Sequence, residues 1–286
     1  MSNAPEVAQL QPSDHRSLQQ AKNFLENPGL IAQLTNLVGA PLEAGIKRLP
    51  KGFSKRLSST LQSALMKSAR WALKTMGDSQ QESWNKSHIA SVAITGGVSG
   101  FFGLGVMAIE VPITTTIILR SIADIGRSEG ESLKSGNFIP ECLKVFALGG
   151  PSKNDDSTES GYYAVRTALA YEVHASAQYV AKEMENAVAG SAANAAKTGT
   201  EKTAPRLVLL IQKVAEKLGI TYSEKFAAQI IPIFGALGGA GINAIFMSHF
   251  QNMARGHFIV RRLERKYGVD LIKMVYDSLP SYEELL

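Results

Sequence analysis

A chain of 286 residues with 45% hydrophobic content has ample apolar material for a core, which excludes an intrinsically disordered protein. Its formal net charge of +5 favours anionic partners, phospholipid surfaces or nucleic acid. A single cysteine, Cys142, excludes an intramolecular disulfide and a cysteine-built zinc site, and fits a reducing, cytoplasmic compartment.

The opening MSNAPEVAQLQPSDHRSLQQ has neither the basic nor the apolar region of a secretory signal. Residues 1–15 read as a flexible lead-in to a single helical domain over 16–286. From Ser17 to Phe24 apolar residues recur at helical spacing, until Asn27-Pro28-Gly29 breaks the pattern. Short helices punctuated by Gly39, Pro41, Pro50 and Gly52 are expected next.

Residues 54–76 place Leu57, Leu61, Leu65, Ala69, Ala72 and Met76 on one stripe, which predicts an amphipathic helix. Around it stand Lys47, Arg48, Lys51, Lys55, Arg56, Lys67, Arg70 and Lys74, with Trp71 close by and no acidic residue between the first and the last. Such a segment suits an anionic membrane surface, where each nearby cation contributes about 1 kcal/mol. The solvated face of a basic protein gives the same pattern.

Two long apolar runs follow. Ile89–Leu119 carries Glu110 as its only charge, and Phe226–Phe250 carries no formal charge. Both exceed the ~20 residues of a spanning helix. However, the first contains Pro112 and an acid that costs ~3 kcal/mol at a helix centre. The second contains Gln229, Pro232, Asn243 and a cluster of glycines. A buried helix pair and a hairpin dipping into one leaflet both stay open. Between the runs come a polar loop at 151–161, helical periodicity over 161–186, an Ala/Ser/Gly/Thr-rich weak helix or internal linker at 187–205 and an amphipathic stretch at 207–218. No alternating strand run and no hairpin signature occurs, so the fold class is all-α, a single multi-helix bundle.

Gly96 and Gly100 stand four apart in the first run, as do Gly235 and Gly239 in the second, a spacing that opens a groove for close helix approach. An offset of 138 residues superposes Gly97, Gly100, Gly103, Arg127, Gly130 and Leu133 on Gly235, Gly238, Gly241, Arg265, Gly268 and Leu271. These glycines are therefore expected to serve packing, in two Gly-rich apolar helices related by a weak internal repeat.

Signals for chemistry are sparse. No phosphate-binding loop, HExxH or GxSxG occurs, so no catalytic residue, cofactor or metal is assigned. His249 and His257 share a helix face two turns apart, too far to hold one metal together. Cys142 lies in an apolar helix and reads as core. Nucleic-acid motifs are absent as well, and the second basic cluster, Arg261-Arg262-Leu263-Glu264-Arg265-Lys266, continues directly from an apolar helix. Glu110 needs a cation, several hydrogen bonds or a proton. Arg120, Arg166 and His249 are its candidate partners; with Asn243 and His257 they are expected to form a buried polar cluster that fixes helix register or lines a ligand cavity.

The stretches GGVSGFFGLGVMAIEVPITTTIILRSIADIGRSEG, FIPECLKVFALGG, GYYAVRTALAYE and EKFAAQIIPIFGALGGAGINAIFMSHFQNMARGHFIVRRLERKYG, preceded by GAPLEAGIKRLPKGF, resemble the EcsC protein family over roughly residues 38–275. The resemblance implies a bacterial, largely helical protein, named for a gene beside ABC transporter genes and without an established activity. The combined expectation is a non-enzymatic protein peripheral to, or partly inserted in, the cytoplasmic side of the inner membrane, binding anionic lipid and an apolar or lipid ligand. The alternatives are an enzyme acting on a lipid or peptide, and an accessory partner of ABC transporter components.

Overall fold

A computed structural model describes residues 10–26, 30, 33–35, 42–75, 107–148, 161–188, 205–230 and 235–280, without the side chains of 70–75, 183–188, 205 and 235–239. Among the described residues there are helices and no strand, as the sequence predicts. They are α1 (Pro12–Glu26), α2 (Glu43–Lys47), α3 (Phe53–Thr75), α4 (Met107–Ser128), α5 (Phe138–Val145), α6 (Gly161–Val188), α7 (Pro205–Ile230), α8 (Gly235–Tyr267) and α9 (Val269–Ser278).

The bundle is built around α8. Phe246, Met247, Phe250, Met253, Ala254, Phe258, Ile259, Val260 and Leu263 are buried and fall on all its sides, the signature of a central helix. Around it pack α1, α4, α5, α7 and α9. Four members of the stripe predicted on α3 point inward, Leu57, Leu61, Leu65 and Ala69 being buried where α3 packs on α4 and α7, while Met76 and the side chain of Ala72 lie outside the described residues. Phe53 meets Phe226 edge-on at 5.6 Å, and the Ser68 hydroxyl lies 2.7 Å from that of Thr116.

Several boundaries differ from the sequence expectation. Helix α1 begins at Pro12, inside the predicted lead-in, because proline fits a first turn whose N–H has no helical partner. Lys266 Nζ and the Tyr267 hydroxyl donate to Asp14 at 2.7 and 2.8 Å, and buried Lys22 donates to the carbonyls of Tyr276 and Leu279, so α1 is tied to α8 and α9. Pro112 does not break α4, which runs through it from Met107. Near the helix start it removes one backbone bond, to the exposed Ala108. The second apolar run is divided between α7 and α8. Among the described residues, no helix is long and apolar enough to cross a membrane.

Gly96, Gly97, Gly100 and Gly103 lie outside the described residues; Gly235, Gly238 and Gly239 lie in the first turns of α8, where only backbone is described, and Gly241 is half-buried there. Elsewhere close approach depends on glycines not singled out from sequence. A Cβ on Gly256 would stand 2.5 Å from Leu25 Cγ and 2.9 Å from the Ala21 carbonyl, so α1 packs directly against the α8 backbone. Gly45 brings α2 onto the Ala227 carbonyl of α7 in the same way. Gly130 and Gly268, superposed by the 138-residue offset, have φ of +83° and +90°. At the former the Gly130 N–H donates to Arg127 O and the Glu131 N–H to Gly126 O, both at 3.0 Å, closing the end of α4.

Candidate functional site

Glu110 sits in the first turn of α4, buried, and its partner is Lys225 of α7. Nζ donates to Oε1 at 2.5 Å, with both side chains almost wholly removed from water. The ammonium also lies 4.8 Å from the Phe246 ring centroid and 5.4 Å from that of Tyr222, whose hydroxyl is 2.9 Å from Thr115 Oγ1. Burial pulls the Lys225 pKa below its ordinary value while Glu110 pushes it back up. The pair ties α7 to α4 and is lined by aromatic faces.

A second, larger network joins α5, α6 and α8. Glu141 of α5 receives Lys144 at 2.6 Å, Arg261 at 3.0 Å and His257 Nε2 at 2.9 Å. Burial pushes the carboxyl up, but Lys144, the His257 hydrogen bond and Arg261 together hold it well below the usual carboxylate range. His257 is held neutral, its pKa drawn down by burial to about 3. A carboxylate can only accept, so the ring carries its proton on Nε2; Nδ1 then accepts from the Tyr162 hydroxyl at 3.0 Å. Arg166 donates to the Tyr162 oxygen at 3.3 Å and grips Glu264 with both terminal nitrogens, at 2.6 and 2.9 Å. Next to it Glu131 takes Arg261 through Nε at 2.8 Å and Arg265 through Nη1.

One edge of this network reaches a cleft of about 380 Å³ between α5, α6 and α9. Asn137, Glu141 and Lys144 come from the α5 side; Tyr163, Arg166, Thr167, Ala170, Val173 and His174 from α6; Val269 and Lys273 from α9. Three of these side chains are cationic and one is anionic. The volume matches that of a small-molecule pocket.

The expected single cluster is thus divided. Glu110 and Lys225 form one site; Arg166 and His257 belong to the other, and Arg120 is exposed on α4. Asn243 and His249 are buried on α8, the His249 ring edge-on to Phe250 at 5.1 Å. Lys225 had a sequence signal: it stands at the border of the uncharged 226–250 run, where a cation is conspicuous. Glu141 and Lys144 had one too, as the only charges in FIPECLKVFAL. Cys142 is buried, as expected of a core thiol. Among the described residues no group of His, Cys, Asp and Glu could hold a metal ion.

The basic segment is on the outside. Lys47, Arg48, Lys51, Lys55, Arg56 and Lys67 are all exposed, while the side chains of Arg70, Trp71 and Lys74 lie outside the described residues. Ile46 is exposed beside them at 44%.

No curated protein and no solved structure matches the chain. A protein-family model does: it covers residues 16–263, from α1 through the Leu263 turn of α8, and so takes in the central helix, the Glu110–Lys225 pair and most of the second network. The chain belongs to the EcsC protein family.

Proposed function

We propose that the protein is a non-enzymatic binding protein that docks on the anionic, cytoplasmic surface of the inner membrane through the outer face of α2 and α3. The observation that carries this reading is the division of α3 into two faces. Its apolar stripe is used up in the core, and six cations from Lys47 to Lys67 face solvent with no acidic residue among them. The described apolar stripe of α3 is already packed on α4 and α7, so the attraction comes from the cations and falls with ionic strength. Ile46 adds a small apolar contact inside the charged patch.

Flotation with zwitterionic and phosphatidylglycerol-containing vesicles tests this. Binding is expected only to the anionic vesicles and only at low salt. The triple variant Lys55→Glu, Arg56→Glu, Lys67→Glu removes three favourable charges at about 1 kcal/mol each and adds three repelled ones, a loss of at least about a hundredfold in partition. Equal binding to both vesicle types, or an unaffected triple variant, would overturn the reading.

A further inference from the structure

We infer that the cleft between α5, α6 and α9 is a binding site for a small organic phosphomonoester. The charge balance is the first argument. Lys144, Arg166 and Lys273 line the cleft, and with the charge of Arg166 compensated by Glu264 behind it, Lys144 and Lys273 stand against the one carboxylate of the lining, Glu141. That carboxylate is committed: Oε2 takes Lys144 and His257, and Oε1 takes Arg261. Lys144 gives one of its three N–H groups to Glu141 and keeps donors for a further acceptor. It is also 4% exposed, in surroundings where a second anionic contact is worth more than in water.

A phosphomonoester carries about −1.5 to −2 at neutral pH on three acceptor oxygens, enough to engage Lys144 and Lys273 at once, whereas a phosphodiester or a lone carboxylate carries one charge. The Thr167 hydroxyl and the Asn137 amide supply neutral donors for the remaining oxygens, while the Tyr163 hydroxyl gives its proton to Glu264 at 3.5 Å. Beyond them, Ala170, Val173 and Val269 form an apolar wall, so the cleft accommodates an organic part as well as the phosphate. Arg166 is held rigid by its two bonds to Glu264 and by the Tyr162 and Tyr163 rings at 5.3 and 5.2 Å, which positions its charge before a ligand arrives.

Such a phosphate can come from a soluble ester or from a lipid headgroup, and titration calorimetry separates the two. Glycerol 3-phosphate is expected to bind the full chain saturably and glycerol to give no heat. Lys144→Met and Lys273→Glu should each weaken binding about tenfold or more, the loss expected for removing a charge-assisted contact. Should Lys144→Met fail to fold by circular dichroism, Lys273→Glu at the half-buried rim decides alone. Tighter binding of water-soluble dihexanoyl phosphatidic acid assigns the site to a headgroup; equal or weaker binding assigns it to a free ester. No saturable heat in the wild type, or affinity unchanged in the folded variants, overturns the inference. The Lys55→Glu, Arg56→Glu, Lys67→Glu variant should keep glycerol 3-phosphate binding. Its loss there would place the anion on the basic face instead, so this site and the membrane reading fail separately.

Discussion

At the scale of single residues, charges removed from water dominate. Glu110 and Lys225 are each tolerable only because the other is present, since breaking a buried pair leaves one charge uncompensated. Lys225→Met alone should destabilise the fold by about 3–5 kcal/mol in urea unfolding. The double variant Glu110→Leu, Lys225→Met should recover most of that loss. A double variant no more stable than the single one would mean that the pair itself stabilises the bundle, beyond preventing a stranded charge. Arg120→Ala, at an exposed position, should stay within about 0.5 kcal/mol of the wild type. A need for some partner could be read from Glu110 in its apolar run. Which partner could not, because Lys225 is 115 residues away and meets it only once the bundle has brought α7 within side-chain reach of α4.

At the scale of elements, the helical period of α3 was readable from Leu57, Leu61 and Leu65, and the structure buries that stripe. Glycines were less readable, since a glycine reports its role only through the chain that packs on it. Gly256 and Gly219 make the contrast testable. Alanine gains up to about 1 kcal/mol over glycine in a helix interior. At Gly219 the nearest neighbour of an added Cβ is Leu61 Cδ1 at 3.9 Å, so Gly219→Ala should raise the urea midpoint. At Gly256 the added Cβ would stand against Leu25 and the Ala21 backbone, and overpacking of about 1–3 kcal/mol outweighs the gain. Gly256→Ala should therefore lower the midpoint. Midpoints moving in the same direction would contradict this account of the α1–α8 contact.

At the scale of the whole molecule, buried titratable groups make stability depend on pH. Burial draws His249 down to about 4 and His257 to about 3, so below pH 6.5 the unfolded chain takes up two protons that the folded one refuses. Burial pushes Glu224 up to about 7, so the folded chain holds one proton that the unfolded chain loses above pH 4.5. Between pH 6.5 and 4.5 the unfolded state thus binds about one proton more, and stability should fall as the pH is lowered, by about 1.4 kcal/mol per unit at most. Below that range the depressed Glu141 adds a loss of the same sign. Urea midpoints at a series of pH values measure the slope, and His249→Gln should flatten it towards zero between pH 6.5 and 4.5. A midpoint that does not fall on acidification would mean that the histidines are charged in the fold.

The sequence by itself determined the class of the protein and the surface it offers. Apolar residues at helical period, without alternation, leave only helices, and a run of cations without acids stays basic however the chain folds. Tertiary structure decided the pairings: Lys225 for Glu110, Glu264 for Arg166, Glu141 for His257, and a cationic cleft lined from α5, α6 and α9. Periodicity is a property of neighbouring residues and is written locally. Charge compensation inside a core depends on which helices cross, and no local pattern records that.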